Sequence, residues 1–250
     1  MLNLNPQSLF VGQSVIYVQE IESTNAYLKT IVKEGDLAEG TVVVTDNQTA
    51  GRGQRENVWV SNANDNGLFS VLLQPINLKP EQLSVVSFLV SLAVRACVQK
   101  HIPTKEVKVK WPNDILVGDR KISGILIENL IGVPMNSVIG IGLNVNQKEF
   151  GDLSIATSLT LESGKTFEVG DIISDCLTFV EKYYLLTKRD GGLKQIWNLY
   201  VSQLYKHNET VKVDGEPYTV MGVKKTGELI VSNNTEERVL QHKEAVIQWN

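Results

Sequence analysis

The segment from Pro80 to about Lys100 constrains the fold more than any other part of the sequence. It reads as a helix with proline in its first turn, and its apolar residues, among them Val86, Phe88, Leu89, Leu92 and Val94, fall on most sides rather than on one stripe. Such a helix is stable in water only when most of its surface is covered, so the chain must supply a sheet beneath it and further elements around it. Candidate strands are present on both sides of it in the sequence. An apolar β-branched run spans Thr41 to Thr45, a second run spans Leu68 to Leu73, and Val107, Val109 and Trp111 alternate with Lys108 and Lys110. Ile115 to Val117 reaches a Gly118-Asp119 turn and returns as a hairpin through Ile122 to Glu128, and Ser137 to Val145 adds another strand.

Capping residues set the remaining elements. After a strand near Val15, Ser23 or Thr24 caps a helix with Tyr27, Leu28, Ile31 and Val32 on one side, and Gly35 is placed to end it. Val169 to Lys188 and Leu193 to Tyr205 have helical spacing as well. From Asp46 to Gly67 runs a polar, glycine-bearing loop with two arginines and a tryptophan, and a loop of that length inside a compact domain points to function. The character changes after His207. Val211 to Val213, Tyr218 to Val223, Leu229 to Val231 and Ala245 to Trp249 are short β-rich stretches between Asp214-Gly215 and Thr226-Gly227 turns, which predicts a small all-β module. A boundary near residue 207 divides the 250 residues into a larger domain, 1–206, and a companion, 207–250.

Composition narrows the function classes. A net charge of −4 argues against a general nucleic-acid binder, since affinity for a phosphate backbone rests on surplus Lys and Arg. Cys97 and Cys176 sit in apolar helical runs and read as buried thiols in a reducing compartment rather than a disulfide framework. The first dozen residues lack the charged and apolar regions of a signal peptide, and no window reaches the length of a membrane span, so the protein is expected to be cytoplasmic with no membrane partner. His101, His207 and His242 share no ligand spacing with the cysteines, which speaks against zinc and leaves any metal ligands unassigned.

Four segments carry candidate chemistry. Gln48-Thr49-Ala50-Gly51-Arg52-Gly53-Gln54-Arg55 places glycines around an arginine directly after a strand, which suits an anion approached by backbone and held by a guanidinium fork, although a surface turn with a solvated arginine is the commoner meaning of Gly-Arg-Gly alone. Lys110-Trp111-Pro112-Asn113-Asp114 ends a strand on an amide and a carboxylate, although an Asx turn explains that pair equally well. Arg120-Lys121-Ile122-Ser123-Gly124 sets two cations at a hairpin tip followed by a glycine inside a strand, a sign of a bulge or a close approach, or simply a charged turn. Gly140-Ile141-Gly142-Leu143-Asn144 is not the dinucleotide-binding pattern, and close packing of a glycine-bearing strand accounts for it apart from Asn144. With no Walker A loop and no nucleophile elbow, the inventory of cations, glycine backbone and amides fits the joining of two anions, as in adenylation of a carboxylate.

Together with Glu22-Ser23-Thr24-Asn25 before a helix and Trp59 closing the loop, these segments resemble the biotin protein ligase family in order and spacing across most of residues 15–250. The resemblance implies an α+β fold, a mixed sheet with helices like the core of class II aminoacyl-tRNA synthetases, followed by a small β-barrel. It also implies an enzyme that forms biotinyl adenylate from biotin and ATP, used as its Mg²⁺ complex. The biotin then passes to a lysine on a biotin carboxyl carrier domain of a carboxylase. By motif, Ser23, Thr24 and Gln48 would bond the ureido ring, with Asn25 beside them. Gly51, Arg52 and Lys121 would meet the carboxylate and phosphate, flanked by Gly53, Gln54 and Arg55, while Gly124 leaves room for the ligand. Asn113, Asn144 and Trp59 would face the nucleotide, and Asp114 would orient or help deprotonate the acceptor lysine. Arg52, Lys121 and Asp114 are thus the expected catalytic set.

Some relatives carry an N-terminal helix-turn-helix; here barely a dozen residues precede Val15, so the monofunctional form without DNA binding is expected. A homodimer paired through a sheet edge is compatible with the sequence. Two rival readings remain, a lipoate or octanoate ligase of the same fold and a biotin-binding sensor without transfer. The chain departs from the family pattern at Gln54, where a second arginine is usual, and at Glu56, where glycine is usual. Loss of that cation weakens the electrostatic hold on the adenylate, so Gln54→Arg is expected to reduce the free biotinyl adenylate released after ATP and biotin are added; equal release from both forms would contradict this.

Overall fold

The computed structural model describes residues 2–249 apart from 36, 55, 56, 76, 77, 131, 133, 134, 152 and 154. Seven strands form the main sheet: β1 (Val15–Ile21), β2 (Val42–Gln48), β3 (Asn66–Leu73), β4 (Val107–Lys110), β5 (Asp114–Val117), β6 (Arg120–Leu130) and β7 (Asn136–Asn144). Their order is β1-β2-β3-β7-β6-β5-β4, with β1 parallel to β2 and every other pair antiparallel, so the sheet is mixed as expected. β3 is buried at all eight positions because helices cover both of its faces.

One face carries the larger core. There α2 (Ser84–His101), preceded by a short 3₁₀ turn at Pro80–Gln82, packs with α4 (Val169–Thr187) and α5 (Gly192–Ser202). Phe69 and Val71 of β3, Ile139 and Ile141 of β7, and Phe88, Leu92 and Leu177 of the helices belong to one buried cluster, with Cys97 and Cys176 wholly inside it. The expectation that no window is long enough for a membrane span needs correcting at Pro80–His101. That helix is long and apolar enough by composition, but most of it is buried inside the protein, where its all-round apolar surface is covered by sheet and helices. The opposite face is covered only in part. α1 (Thr24–Glu34) seals Leu28 against Val43, Leu72 and Val138, and stops short of the rest.

Boundaries follow local chemistry. Ser23 is the N-cap of α1, its hydroxyl accepting from the Ala26 amide, and Gly35 ends the helix with extended backbone rather than in the left-handed conformation. The short α3 (Leu159–Ser163), capped by the Ser158 hydroxyl and closed by Gly164 at φ 72°, escaped the sequence reading because five residues give no periodicity. From Thr210 the chain forms a second sheet, where a small barrel was expected, of five antiparallel strands: β8 (Thr210–Val213), β9 (Glu216–Val223), β10 (Leu229–Ser232), β11 (Glu237–Leu240) and β12 (Ile247–Gln248), in the order β11-β10-β9-β8-β12 with no pairing between β11 and β12 among the described residues. β11 was missed because its charged residues mask the alternation.

The N-terminal segment has no regular structure yet is tied along α4. The Asn5 amide donates to Ser174 Oγ (2.9 Å), the Gln7 amide to Thr178 Oγ1 (3.0 Å), and the amides of Leu9, Phe10 and Val11 all donate to the carboxylate of Glu181 (2.6, 2.7 and 3.0 Å). Glu181 is 4% exposed, so these three donors stand in for its water. Replacing it with Ala strands buried amides at about 1–3 kcal/mol each, partly relieved by local opening. Glu181→Ala is expected to lower stability by about 3 kcal/mol and to expose the segment to proteolysis near Gln13, with Glu181→Gln intermediate. Denaturant unfolding with a change below about 0.5 kcal/mol for the alanine variant would contradict this.

Candidate active site

Where α1 stops, the sheet face opens into a pocket of about 190 Å³. Its floor is a consequence of the pleat. Alternate residues of β7 point to opposite sides, so Ile139, Ile141 and Leu143 enter the helical core while Val138, Gly140, Gly142 and Asn144 face the other way. In register with them on β6 lie Gly124 opposite Gly142 and Leu126 opposite Gly140. A Cβ at Gly142 would meet the Trp59 ring at 2.4 Å, and one at Gly140 would meet Asn25 Oδ1 at 2.5 Å, so both glycines permit a close approach from above.

The end wall is the first turn of α1. Ser70 Oγ of β3 lies 2.7 Å from both Thr24 Oγ1 and Asn25 Oδ1, and Gln48 Oε1 accepts from the Thr24 amide at 2.9 Å and lies 3.2 Å from Thr24 Oγ1. Asn25 Nδ2 donates to Leu126 O (3.2 Å) and Glu128 Oε2 (2.9 Å), which fixes the amide over Gly140. Ser23, Thr24 and Asn25 are each 3% exposed. This buried set of hydroxyls and amides presents donors and acceptors in fixed directions.

The loop after β2 forms one side. Its start is tied to the end of β1, the Thr49 amide donating to Ile21 O (2.9 Å) and the Ala50 amide to Glu22 O (3.0 Å). It then doubles back, with Trp59 N bonded to Gly51 O (2.9 Å), Gly53 N to Asn57 O (2.7 Å) and an antiparallel bridge between Arg52 and Val58. Arg52, Gly53 and Gln54 line the pocket, and the Trp59 indole lies across the glycine floor with its Nε1 buried and without a partner. Gly51 sits behind rather than in the wall; a Cβ there would strike Trp59 O at 2.4 Å.

The other side comes from the β4–β5–β6 end of the sheet. The pairing of β5 with β6 shifts register between Ile115 and Leu116, so Lys121 lies opposite Leu116 while Gly124 lies opposite Asp114. That bulge turns Lys121 onto the same face as Gly124, where its ammonium pairs with Asp114 at 2.7 Å and stands 5.7 Å from the Trp59 ring centroid. Asn113 also lines the pocket, with one of the two N–H groups of its Nδ2 committed to Ile125 O at 2.7 Å. Lys110 nearby has its pKa lowered, first by burial and further by Lys121, against an opposing pull from Asp114.

The structure therefore gathers Ser23, Thr24, Asn25 and Gln48 with Arg52, Gly53, Gln54 and Trp59, and with Asn113, Asp114, Lys121 and Gly124. Two expectations differ. Gly51 supports the wall from behind, and Asn144 is buried at 4% exposure outside the pocket lining, its Nδ2 bonded to Thr157 O (2.9 Å) and its Oδ1 without a partner. Arg55 and Glu56 fall outside the described residues. Sequence reasoning missed Ser70, a lone serine in an apolar strand, and His242, which enters the pocket from the second sheet. It also treated Gly140 and Gly142 as packing alone, although their spacing of two on a strand marks a bare face. Placing Ala at Gly142 is expected to push the indole off the floor, which a red shift in Trp59 emission, isolated by subtracting a Trp59→Phe spectrum, would register; an unchanged spectrum would refute this placement.

The comparisons with known proteins agree with this geometry. Residues 15–146 match the biotin/lipoate A/B protein ligase family. The chain is 30% identical over 233 residues to the bifunctional ligase/repressor BirA of Bacillus subtilis, covering 90% of this chain and 71% of that protein. A biotin–[acetyl-CoA-carboxylase] ligase of Mycobacterium tuberculosis is 35% identical over 132 residues, 52% of this chain and 48% of its own length. Among solved structures, the biotin protein ligase of Aquifex aeolicus in complex with biotin and ATP is similar at a TM-score of 0.79 and 25% identity, over 94% of this chain and 99% of that one. With the motifs, the fold and the matched span all in agreement, the chain belongs to the biotin/lipoate A/B protein ligase family.

Proposed function

We propose that this protein is an ATP-dependent biotin protein ligase, which forms biotinyl adenylate and transfers the biotin to a lysine of a carboxyl carrier domain. The carrying observation is one pocket with an amide-and-hydroxyl wall at one end, a bare glycine floor, and the cations Arg52 and Lys121 beside it. A ureido ring needs both donors and acceptors, which Ser23, Thr24, Asn25 and Gln48 supply. The dithiolane of lipoate or the tail of octanoate offers no match for the hydrogen-bonding capacity that these groups do not spend on one another, a basis for discrimination. The glycine floor suits the flat approach of the acyl chain once the Trp59 indole has moved aside. At the far end, Arg52 and Lys121 are placed for the carboxylate and α-phosphate, two anions that repel each other until cations hold them together.

Lys121 pairs with Asp114 in this structure, and the same two groups fit the two half-reactions. When an anion draws Lys121 away, Asp114 is released to hold the ammonium of an incoming lysine. Asn113 lines the pocket and is assigned to the nucleotide, while Asn144 lies outside that lining with its Oδ1 unpartnered. Magnesium is expected with ATP, which supplies charge neutralisation on the phosphates. Asp114 is the one carboxylate among the described lining residues and is held by Lys121, so these residues form no protein cage for the ion.

The test is pyrophosphate release from Mg-ATP with biotin, lipoate or octanoate, followed by addition of a carrier domain. Release with biotin and labelling of the carrier are expected; release with lipoate alone moves the assignment to a lipoate ligase, and binding of biotin without release makes the protein a sensor. Lys121→Ala is expected to lower adenylation by about 100-fold, in line with loss of one preorganised electrostatic contact, while biotin binding falls far less.

A further inference from the structure

His242 belongs to the turn between β11 and β12 and is the contribution of the second sheet to the pocket lining. Its position is fixed from the catalytic sheet. Trp111 Nε1 donates to Gly227 O at 2.8 Å, drawing the β9–β10 turn onto the end of β4, and the His242 imidazole packs edge-on to the same indole, centroids 5.9 Å apart and planes at 78°. The ring thus stands beside the turn that carries Asp114.

We propose that His242 is a catalytic residue of the transfer step, the base that removes the proton from the acceptor lysine; this rests on the function proposed above. A lysine ammonium has no free electron pair and cannot attack an acyl adenylate, so a proton must leave first. The ionisable side chains among the described lining residues are Arg52, Asp114, Lys121 and His242. Arginine stays protonated at any working pH, Lys121 is a cation, and Asp114, paired with Lys121 at 2.7 Å until an anion draws that cation away, is the group that holds the incoming ammonium. Imidazole is the side chain whose ordinary strength suits proton acceptance near neutrality. Charged groups near the ring among the described residues include Asp114, Lys121 and Arg52, which line the same pocket, and its chain neighbours Lys243 and Glu244, the last engaged by the Gln241 amide at 2.7 Å.

The step balances as follows. Asp114 holds the ammonium, the neutral imidazole takes one proton, and the freed nitrogen pair attacks the acyl carbon of the adenylate. The new C–N bond forms as the C–O bond to the phosphate breaks, AMP leaves with that electron pair, and the amide nitrogen sheds its second proton to solvent.

The experiment compares wild type with His242→Gln and with His242→Phe, which keeps an aromatic ring against Trp111. Adenylation is read by pyrophosphate release, and transfer by single turnover from preformed biotinyl adenylate to a carrier domain between pH 5.5 and 9. Wild-type transfer is expected to rise with pH and level off within this range once the imidazole is neutral. Both variants should lose about 100-fold in transfer at pH 7 and keep rising towards pH 9 as the lysine itself deprotonates, while adenylation changes by no more than about threefold. A variant profile matching wild type, an absence of levelling in wild type, or an equal fall in both half-reactions would overturn the proposal, the last marking a nucleotide contact or a packing role. Failure of wild type to release pyrophosphate with biotin would instead refute the ligase reading, so the two failures are separately visible.

Discussion

Strand β7 sends Ile139, Ile141 and Leu143 into the helical core and Val138, Gly140, Gly142 and Asn144 to the opposite face, and the pleat allows no other distribution. Everything at the site is arranged around that asymmetry. The large residues anchor α2 and α4 on one side, which holds the sheet rigid. The missing side chains on the other side leave a hollow that α1 borders without filling, and the amide of Asn25, fixed by Leu126 and Glu128, can lie directly over Gly140. A one-residue slip of β7 would turn isoleucines into the pocket and glycines into the core, destroying both at once.

The fold was legible wherever a pattern repeats. The alternation of β4, the β-branched runs of β2 and β3, and the all-round apolar α2 could each be read directly, because burial imposes a period on sequence. The site was legible as motifs but not as geometry. No period in Arg120-Lys121-Ile122-Ser123-Gly124 shows that a bulge turns Lys121 onto the face of Gly124, since that depends on the register of β5 against β6. Ser70 looks like an ordinary polar break in a strand until α1 lies over it. His242 was the hardest to see, because more than a hundred residues separate it from Asp114 and only the docking of the second sheet brings them together.

That docking gives the Lys110-Trp111-Pro112-Asn113-Asp114 segment a double duty. Asn113 and Asp114 look into the pocket, while Trp111 looks away and holds Gly227 and His242. Further support comes from Trp197 Nε1 bonded to Val223 O at 2.9 Å and from Val109, whose amide donates to Gln203 O and whose carbonyl receives the Tyr205 amide at 2.9 and 2.8 Å. The edge of β4 is thereby paired with chain leading into the second sheet, which protects it from pairing elsewhere. The seven-stranded sheet and the C-terminal sheet are joined by a hydrogen bond at the turn that leads into Asp114.

The N-terminal segment lies along α4 in the same direction as the helix, its contacts stepping from Ser174 to Thr178 to Glu181. Over those seven positions the helix rises about 10 Å, so the contacts are spread along the axis rather than gathered at one point. A pull on the segment along that axis loads them together in shear, whereas a pull away from the helix breaks them one after another. The attachment is therefore directional. Tension along α4 is passed through the Glu181 carboxylate into the helix and the core beneath it, and tension outward is spent in peeling, so the segment behaves as a mechanical coupling with a preferred axis rather than as a passive tail.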